Sequence, residues 1–150
     1  MFDGRSMAVG IRLRTEQGAK FAVKGSQAGL FIPQMYAQPE LYICEGPTDT
    51  AAAISVGLYA IGRPSCLGCV RQVVEFVRRN RVRRVIVCAD SDAPGQRGAT
   101  EISQFIPVRS TVFTPPGKDL RAAVSHGLTG EAIRSMVDNL IDTQPVVVND

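Results

Sequence analysis

Acidic residues follow three apolar segments of this sequence, where their carboxylates could bind a metal ion. Glu45 follows "LYIC", Asp90 and Asp92 follow "RVIVCA", and Asp119 follows "STVFTPPGK". Asp90 and Asp92 are two residues apart in an extended segment, so their side chains point to the same side and repel each other. Carboxylate oxygens combined with substrate phosphates are typical ligands of Mg²⁺ or Mn²⁺. We therefore predict a divalent-metal site.

Each acid taken alone has a simpler structural interpretation. Asp92 and Asp119 each precede a predicted helix, where an N-cap aspartate stabilises the helix by about 1 kcal/mol. Glu45 is harder to explain in this way, because a Glu-Gly pair is neither a typical strand end nor a favoured cap. The metal interpretation depends on these acids occurring together.

The elements that would position these acids alternate between strand and helix from Leu41 onward. Four short apolar segments, "LYIC", "YAIG", "RVIVCA" and "STVFT", predict buried strands. Helical patterns follow each of them, for example Val70, Val73, Val74 and Val77 on one helical face. We predict an α/β fold with a mostly parallel four-stranded sheet and helices on both faces. Function in such sheets collects at the carboxyl ends of the strands, where the acids lie.

The N-terminal segment predicts a β-hairpin. Apolar and polar residues alternate in "IRLRTEQGAKFAVK", and Gly18 marks the turn. One face is basic and solvent-exposed. It could contact nucleotide or template phosphates, or it could simply be solvated, and the sequence leaves both interpretations open. The basic residues of this face are Arg12, Arg14, Lys20 and Lys24.

Composition limits the class of protein. The chain has 150 residues, 45% of them hydrophobic, and a net charge of +3, which allows but does not require a nucleic-acid partner. We expect no membrane span, no secretory signal and a cytoplasmic location. Cys44 and Cys88 are predicted to be small buried residues. Cys66 and Cys69 form a CxxC motif that could be a redox pair but lacks a second pair for structural zinc.

Two of these segments resemble a known domain. "ICEGPTDTAAA" followed by "VIVCADSDAPGQRGA" resembles the Toprim domain of DnaG-type primases, topoisomerases, RecR-like repair proteins and OLD-family nucleases. The likeness is closest to primases of phages and mobile elements, since "GIRLRTEQGAKFAVKGSQAGLF" and "PPGKDL" have counterparts there. The resemblance covers about residues 9–125. It implies a Rossmann-like Toprim fold.

The resemblance also implies a function. It predicts metal-dependent nucleotidyl transfer that makes short RNA primers from nucleoside triphosphates on single-stranded DNA, with Mg²⁺ or Mn²⁺ as cofactor. Glu45 would be the general acid or base. The metal-binding residues would be Asp90, Asp92, Asp49 and Asp119. The nucleotide- or nucleic-acid-binding residues would be Arg12, Arg14, Lys20, Lys24 and Lys118. Gly46 and Gly95 would form tight turns.

The chain departs from the primase pattern in two ways. Leu120 and Arg121 follow Asp119 where primases usually have another acid, and we recognise no zinc-binding domain ahead of this region. "PPGKDL" is also not a P-loop, so we expect no fused helicase. We expect a fragment, or a stand-alone protein that works with a separate zinc-binding, template-reading domain and a helicase. The predicted organisation is a hairpin segment and linker over 1–39, the Toprim domain over 40–142 and a tail over 143–150.

Two other interpretations within the Toprim family remain open, and one outside it fits less well. A Toprim nuclease would use water in place of the 3′-hydroxyl around the same acids. A non-catalytic nucleic-acid-binding or adaptor module would keep the fold alone. A phospho-receiver domain would also gather acids at strand ends, and Lys118 fits it loosely, but Glu45-Gly46 does not.

Overall fold

The structure is a computed structural model that describes residues 1–33 and 36–143. It confirms the predicted alternation of strands and helices. Residues 34 and 35 of the predicted linker, and all of the predicted tail except Thr143, lie outside the described residues. The elements in chain order are β1 (Arg12–Arg14), β2 (Lys20–Ala22), β3 (Glu40–Glu45), α1 (Gly46–Ser55), β4 (Ala60–Arg63), α2 (Val70–Arg79), β5 (Arg84–Cys88), α3 (Ala93–Ser103), β6 (Arg109–Phe113), α4 (Leu120–Ser125) and α5 (Gly130–Thr143).

The four longer strands form one sheet in the order β4-β3-β5-β6. Every neighbouring pair in this sheet is parallel, so all four carboxyl ends lie at one edge. The predicted fold class is therefore confirmed. β1 and β2 form a separate antiparallel hairpin in which Arg14 lies opposite Lys20.

Alternate residues of the strands pack into two cores, one on each face of the sheet. Leu41 and Ile43 of β3 belong to the core that includes residues of α2 and α3. Tyr42 and Cys44 belong to the core that includes residues of α1, α4 and α5. Cys44 and Cys88 are buried, as predicted. A sheet covered on both faces is rigid, so it holds the residues at its carboxyl edge in fixed positions.

The hairpin forms as predicted, and its basic face is exposed to solvent. Every residue of β1 and β2 is exposed, so its apolar face is exposed as well. Leu13 is 42% exposed and Phe21, directly opposite it, is 50% exposed. Sequence alternation fixes which residues share a face of a hairpin but not whether another element packs against that face. In the part of the chain that the structure describes, no helix is long and apolar enough to cross a membrane.

Candidate active site

Two neighbouring parallel strands deliver the central acids. Glu45 is the last residue of β3, and Asp90 and Asp92 follow the end of β5. Because β3 and β5 are adjacent and parallel, their carboxyl ends lie side by side. The structure thus brings the acids predicted from the strand ends to one edge of the sheet.

Hydrogen bonds fix the loop that carries Asp90 and Asp92. Asp92 is the N-cap of α3, and its Oδ1 accepts a hydrogen bond from the backbone N–H of Gly95 at 2.7 Å. The Gln96 side-chain amide donates to the backbone oxygen of Asp90 at 2.7 Å and to Thr114 Oγ1 at 2.9 Å. Gln96 and Thr114 therefore position the acidic loop. Sequence reasoning missed both, because they meet only in the folded chain.

Two glycines allow the chain to take this path. Gly46 has a φ of +82°, which permits β3 to pass into α1 without an intervening loop. We expected Gly95 to form a turn away from the sheet, but it lies in the first turn of α3. A Cβ at position 95 would lie 2.9 Å from Asp90 Cβ and 3.0 Å from Asp92 Oδ1. Glycine is needed there because α3 begins so close to the two aspartates.

Two further acids approach the same edge from α1 and α4. Asp119 is the N-cap of α4, and its Oδ1 accepts from the Ala122 N–H at 2.7 Å. Asp49 lies on α1, is 8% exposed, and accepts at Oδ1 from the Arg121 N–H at 2.9 Å. Both carboxylates thus bind the first turn of α4. This confirms the structural interpretation of Asp119 as a cap. The second oxygen of Asp49 accepts from Thr48 Oγ1 at 3.5 Å, and that of Asp119 lies 3.7 Å from Arg121 Nη2.

The five carboxylates act on one another. Burial and, to a smaller extent each, the negative charges of Glu45, Asp49, Asp119 and Asp92 together raise the pKa of Asp90 to about 6. Burial also raises the pKa of Glu45, which the positive charges of Arg63 and Lys20 partly oppose. Burial is likewise the main cause of the raised pKa of Asp49. Negative charge is therefore concentrated at this edge, and a cation there would relieve the repulsion.

The available oxygen ligands suit a hard cation that takes only one or two of its ligands from the protein. Among residues 1–33 and 36–143, no three His, Cys, Asp or Glu side chains are arranged to hold a metal ion. One oxygen each of Asp49, Asp92 and Asp119 accepts a backbone N–H. Mg²⁺ is usually bound by one or two carboxylates, with waters and substrate phosphates completing its shell. The arrangement suits that mode of binding better than an all-protein cage.

Two of the predicted basic residues, Lys20 and Lys118, lie near the acids. Lys20 of β2 is close enough for its charge to act on Glu45, so the hairpin adjoins the site. Arg14 lies directly opposite Lys20 in the hairpin register, and Arg12 lies on the same face. Lys118 adjoins the acidic loop through its backbone, since its carbonyl oxygen accepts from the Ser91 N–H at 2.9 Å.

One cation at this edge was not predicted. Arg63 is the last residue of β4, is 3% exposed, and pairs in register with Glu45. Sequence reasoning ended this strand at Gly62 and missed Arg63. The sequence did offer a signal, because Arg63 directly follows a predicted strand, and the candidate acids were identified by that same position.

The CxxC motif does not have the features of a redox pair. Cys66 and Cys69 are both free and partly buried. Burial raises the pKa of the Cys69 thiol, although the charge of Arg63 opposes this. A reactive pair needs a low thiol pKa, so the structure favours a packing role.

Comparison with known proteins agrees with this fold and site. A family model described as Toprim-like matches residues 42–124, more than half of the chain. The chain therefore belongs to the Toprim-like family. A search among curated proteins finds no match.

Two solved structures share the fold. One is the crystal structure of a DNA primase domain from Pseudomonas aeruginosa, with a TM-score of 0.69, 16% identity, and coverage of 93% of this chain and 49% of that one. The other is the structure of the DnaG catalytic core, with a TM-score of 0.63, 17% identity, and coverage of 93% and 51%. The chain thus spans about half the length of these structures. At this level of identity the likeness establishes the fold.

Proposed function

We propose that this chain is the Toprim catalytic part of a DNA primase-like protein that makes RNA primers on single-stranded DNA. The observation that supports this most strongly is the position of Asp90 among four other carboxylates, at the carboxyl edge of a Toprim-like sheet. The exposed basic hairpin beside Glu45 supports a nucleic-acid substrate. The likeness of the fold to primase domains supports nucleotidyl transfer over other Toprim chemistry.

In the proposed reaction a 3′-hydroxyl oxygen attacks the α-phosphorus of a nucleoside triphosphate. A new P–O bond forms, the bond from the α-phosphorus to the bridging oxygen breaks, and pyrophosphate leaves with the bonding electron pair. Glu45 accepts the hydroxyl proton, directly or through a water. Its raised pKa suits this role, because a base works best when its pKa lies nearer the working pH.

The other acids would bind and orient. Asp90 and Asp92 would bind Mg²⁺ or Mn²⁺ together with the triphosphate, while Asp49 and Asp119 would add charge and hold α4 in place. When bound, the ion neutralises phosphate charge and orients the attacking and leaving oxygens. Gly95 keeps α3 close behind the two aspartates. Arg12, Arg14, Lys20, Lys24 and Lys118 would bind phosphates of the nucleotide or template.

The chain would not act alone. It spans about half of the primase structures whose fold it shares. We therefore propose a separate zinc-binding domain and a helicase as partners, and a relationship to the primases of phages and mobile elements. The hairpin segment of 1–39 and the Toprim domain of 40–142 would together form one catalytic unit.

The test is a denaturing gel that follows both possible products. The full chain is incubated with 5′-labelled single-stranded DNA, labelled nucleoside triphosphates and Mg²⁺ or Mn²⁺. Two variants remove a carboxylate: Asp90→Asn, and Asp92→Ser, which keeps a good N-cap for α3. Asp142→Asn, an exposed site on α5, is the matched control.

The proposal predicts new labelled oligonucleotides that both site variants abolish and the control retains. Shortened DNA with the same sensitivity to Asp90→Asn would identify a nuclease instead. If the wild-type chain forms neither product, even with a primase zinc-binding domain added, the proposal fails and a non-catalytic module is favoured.

A further inference from the structure

Arg63 is a buried cation whose hydrogen-bonding groups are not all used. Its Nε and Nη1 atoms are buried and have no hydrogen-bond partner, although the residue is only 3% exposed. Buried guanidinium groups are normally paired, because an unpaired buried charge forgoes its hydration without replacing it. The folded chain therefore holds two donor nitrogens whose N–H groups a ligand oxygen could satisfy.

The surroundings of Arg63 indicate what that ligand would be. Arg63 and Glu45 end neighbouring parallel strands in register, so both side chains lie on the same face at the carboxyl edge. Among the described residues the two form no ion pair within 4.0 Å. The site thus offers carboxylates on β3 and after β5, and an unpaired guanidinium on β4.

A metal-bound polyphosphate matches both halves of this arrangement. Its cation suits the carboxylates, and its oxygens can accept charge-assisted hydrogen bonds from the guanidinium N–H groups. A plain carboxylate ligand would match only Arg63 and would be repelled by the acids around Asp90.

We propose that Arg63 binds the phosphate groups of the metal-bound nucleotide in this site. The inference rests on the proposed function for the identity of the nucleotide, but the phosphate contact can be tested without primer synthesis. Because Arg63 is nearly enclosed, the proposal includes a shift of the adjoining loop 64–69. Ser65 and Leu67 of this loop are exposed.

The test measures binding of inorganic pyrophosphate, and separately of GTP, to the full chain with Mg²⁺ by calorimetry. Arg63→Met removes the charge at similar length, Arg63→Lys keeps the charge without the fork, and Arg109→Met is the control. Arg109 is exposed and begins β6, so it lies at the opposite edge of the sheet. Circular dichroism checks that each variant is folded. If Arg63→Met does not fold, the affinity of Arg63→Lys alone tests the phosphate contact.

Loss of two charge-assisted hydrogen bonds should weaken binding at least about tenfold in Arg63→Met and several-fold in Arg63→Lys. Arg109→Met should bind like the wild type. Unchanged affinity of the folded Arg63 variants for both ligands, or no binding by the wild type, would overturn the inference.

A double variant separates phosphate binding from an effect through Glu45. If Arg63 acts only by balancing the charge of Glu45, Arg63→Met should have no further effect in a Glu45→Gln background, and that result overturns the proposal. Direct phosphate binding predicts the same loss in both backgrounds. Arg63-dependent pyrophosphate binding without primer synthesis would leave this inference standing and refute the proposed function. Primer synthesis together with pyrophosphate binding that does not depend on Arg63 would support the proposed function and refute this inference.

Discussion

Asp90 should destabilise the metal-free protein, so replacing it with asparagine should stabilise the fold. Its pKa is raised from 3.8 to about 6 by burial and by the neighbouring acids. A shift of this size corresponds to about 3 kcal/mol, and solvent screening of the partly exposed side chain reduces it to about 1–2 kcal/mol. The substitution keeps the backbone oxygen to which Gln96 donates. We expect Asp90→Asn to raise the free energy of unfolding by about 1–2 kcal/mol at pH 8.

The sign of the pH dependence follows from the direction of the shift. The folded chain binds the Asp90 proton more tightly than the unfolded chain does. The destabilisation is therefore complete above the folded pKa of about 6 and disappears as the pH falls towards 3.8. The advantage of Asp90→Asn over the wild type should shrink between pH 8 and pH 4.5.

Urea unfolding in EDTA, followed by circular dichroism, measures this difference. Asp142→Asn should show no such pH-dependent advantage, because Asp142 is exposed on α5. Adding Mg²⁺ at pH 8 should reverse the order, since an ion at about a hundred times its dissociation constant stabilises the wild type by about 2.7 kcal/mol. If Asp90→Asn is no more stable than the wild type at pH 8 without metal, the electrostatic reasoning is wrong.

Three further variants test other parts of the site. Gly95→Ala should reduce primer synthesis at least about tenfold, because its Cβ would displace Asp90; wild-type activity in the gel assay would show that the close approach is unimportant. Asp119→Ser should keep the stability of the wild type and Asp119→Ala should lose about 1 kcal/mol in urea unfolding, since serine also caps helices. Both should lower Mg²⁺-dependent activity, and full activity in Asp119→Ser would limit this residue to capping. Neutralising the basic hairpin face should lower the salt dependence of single-stranded DNA binding, measured by fluorescence anisotropy. The slope of log binding constant against log salt concentration should fall by about 0.7 for each phosphate contact that is lost. An unchanged slope would show that the DNA binds elsewhere.

The fold was predictable because local pattern and tertiary environment agree. Strands with continuous apolar runs are typically buried on both faces, so "LYIC" and "RVIVCA" were predicted as buried parallel strands, and the acids that follow them were expected at one edge. The N-cap role of Asp119 was predictable because capping is local.

The rest depends on contacts between distant segments. Gln96 meets Thr114 only because β5 and β6 are neighbours, and no local pattern identifies that pair. The need for glycine at position 95 comes from its distance to Asp90, whereas sequence reasoning explained it by a turn. Arg63 looked like an ordinary residue after a strand, because burial without a partner is a property of the folded chain.

The most direct test of the central claim is a count of bound Mn²⁺ by electron paramagnetic resonance, with and without a nucleoside triphosphate. We predict that the triphosphate tightens Mn²⁺ binding to the wild-type chain. Asp90→Asn and Asp92→Ser should lose this binding, and Asp142→Asn should retain it. Binding that survives Asp90→Asn, or that the triphosphate does not tighten, would show that these carboxylates are not a metal–nucleotide site.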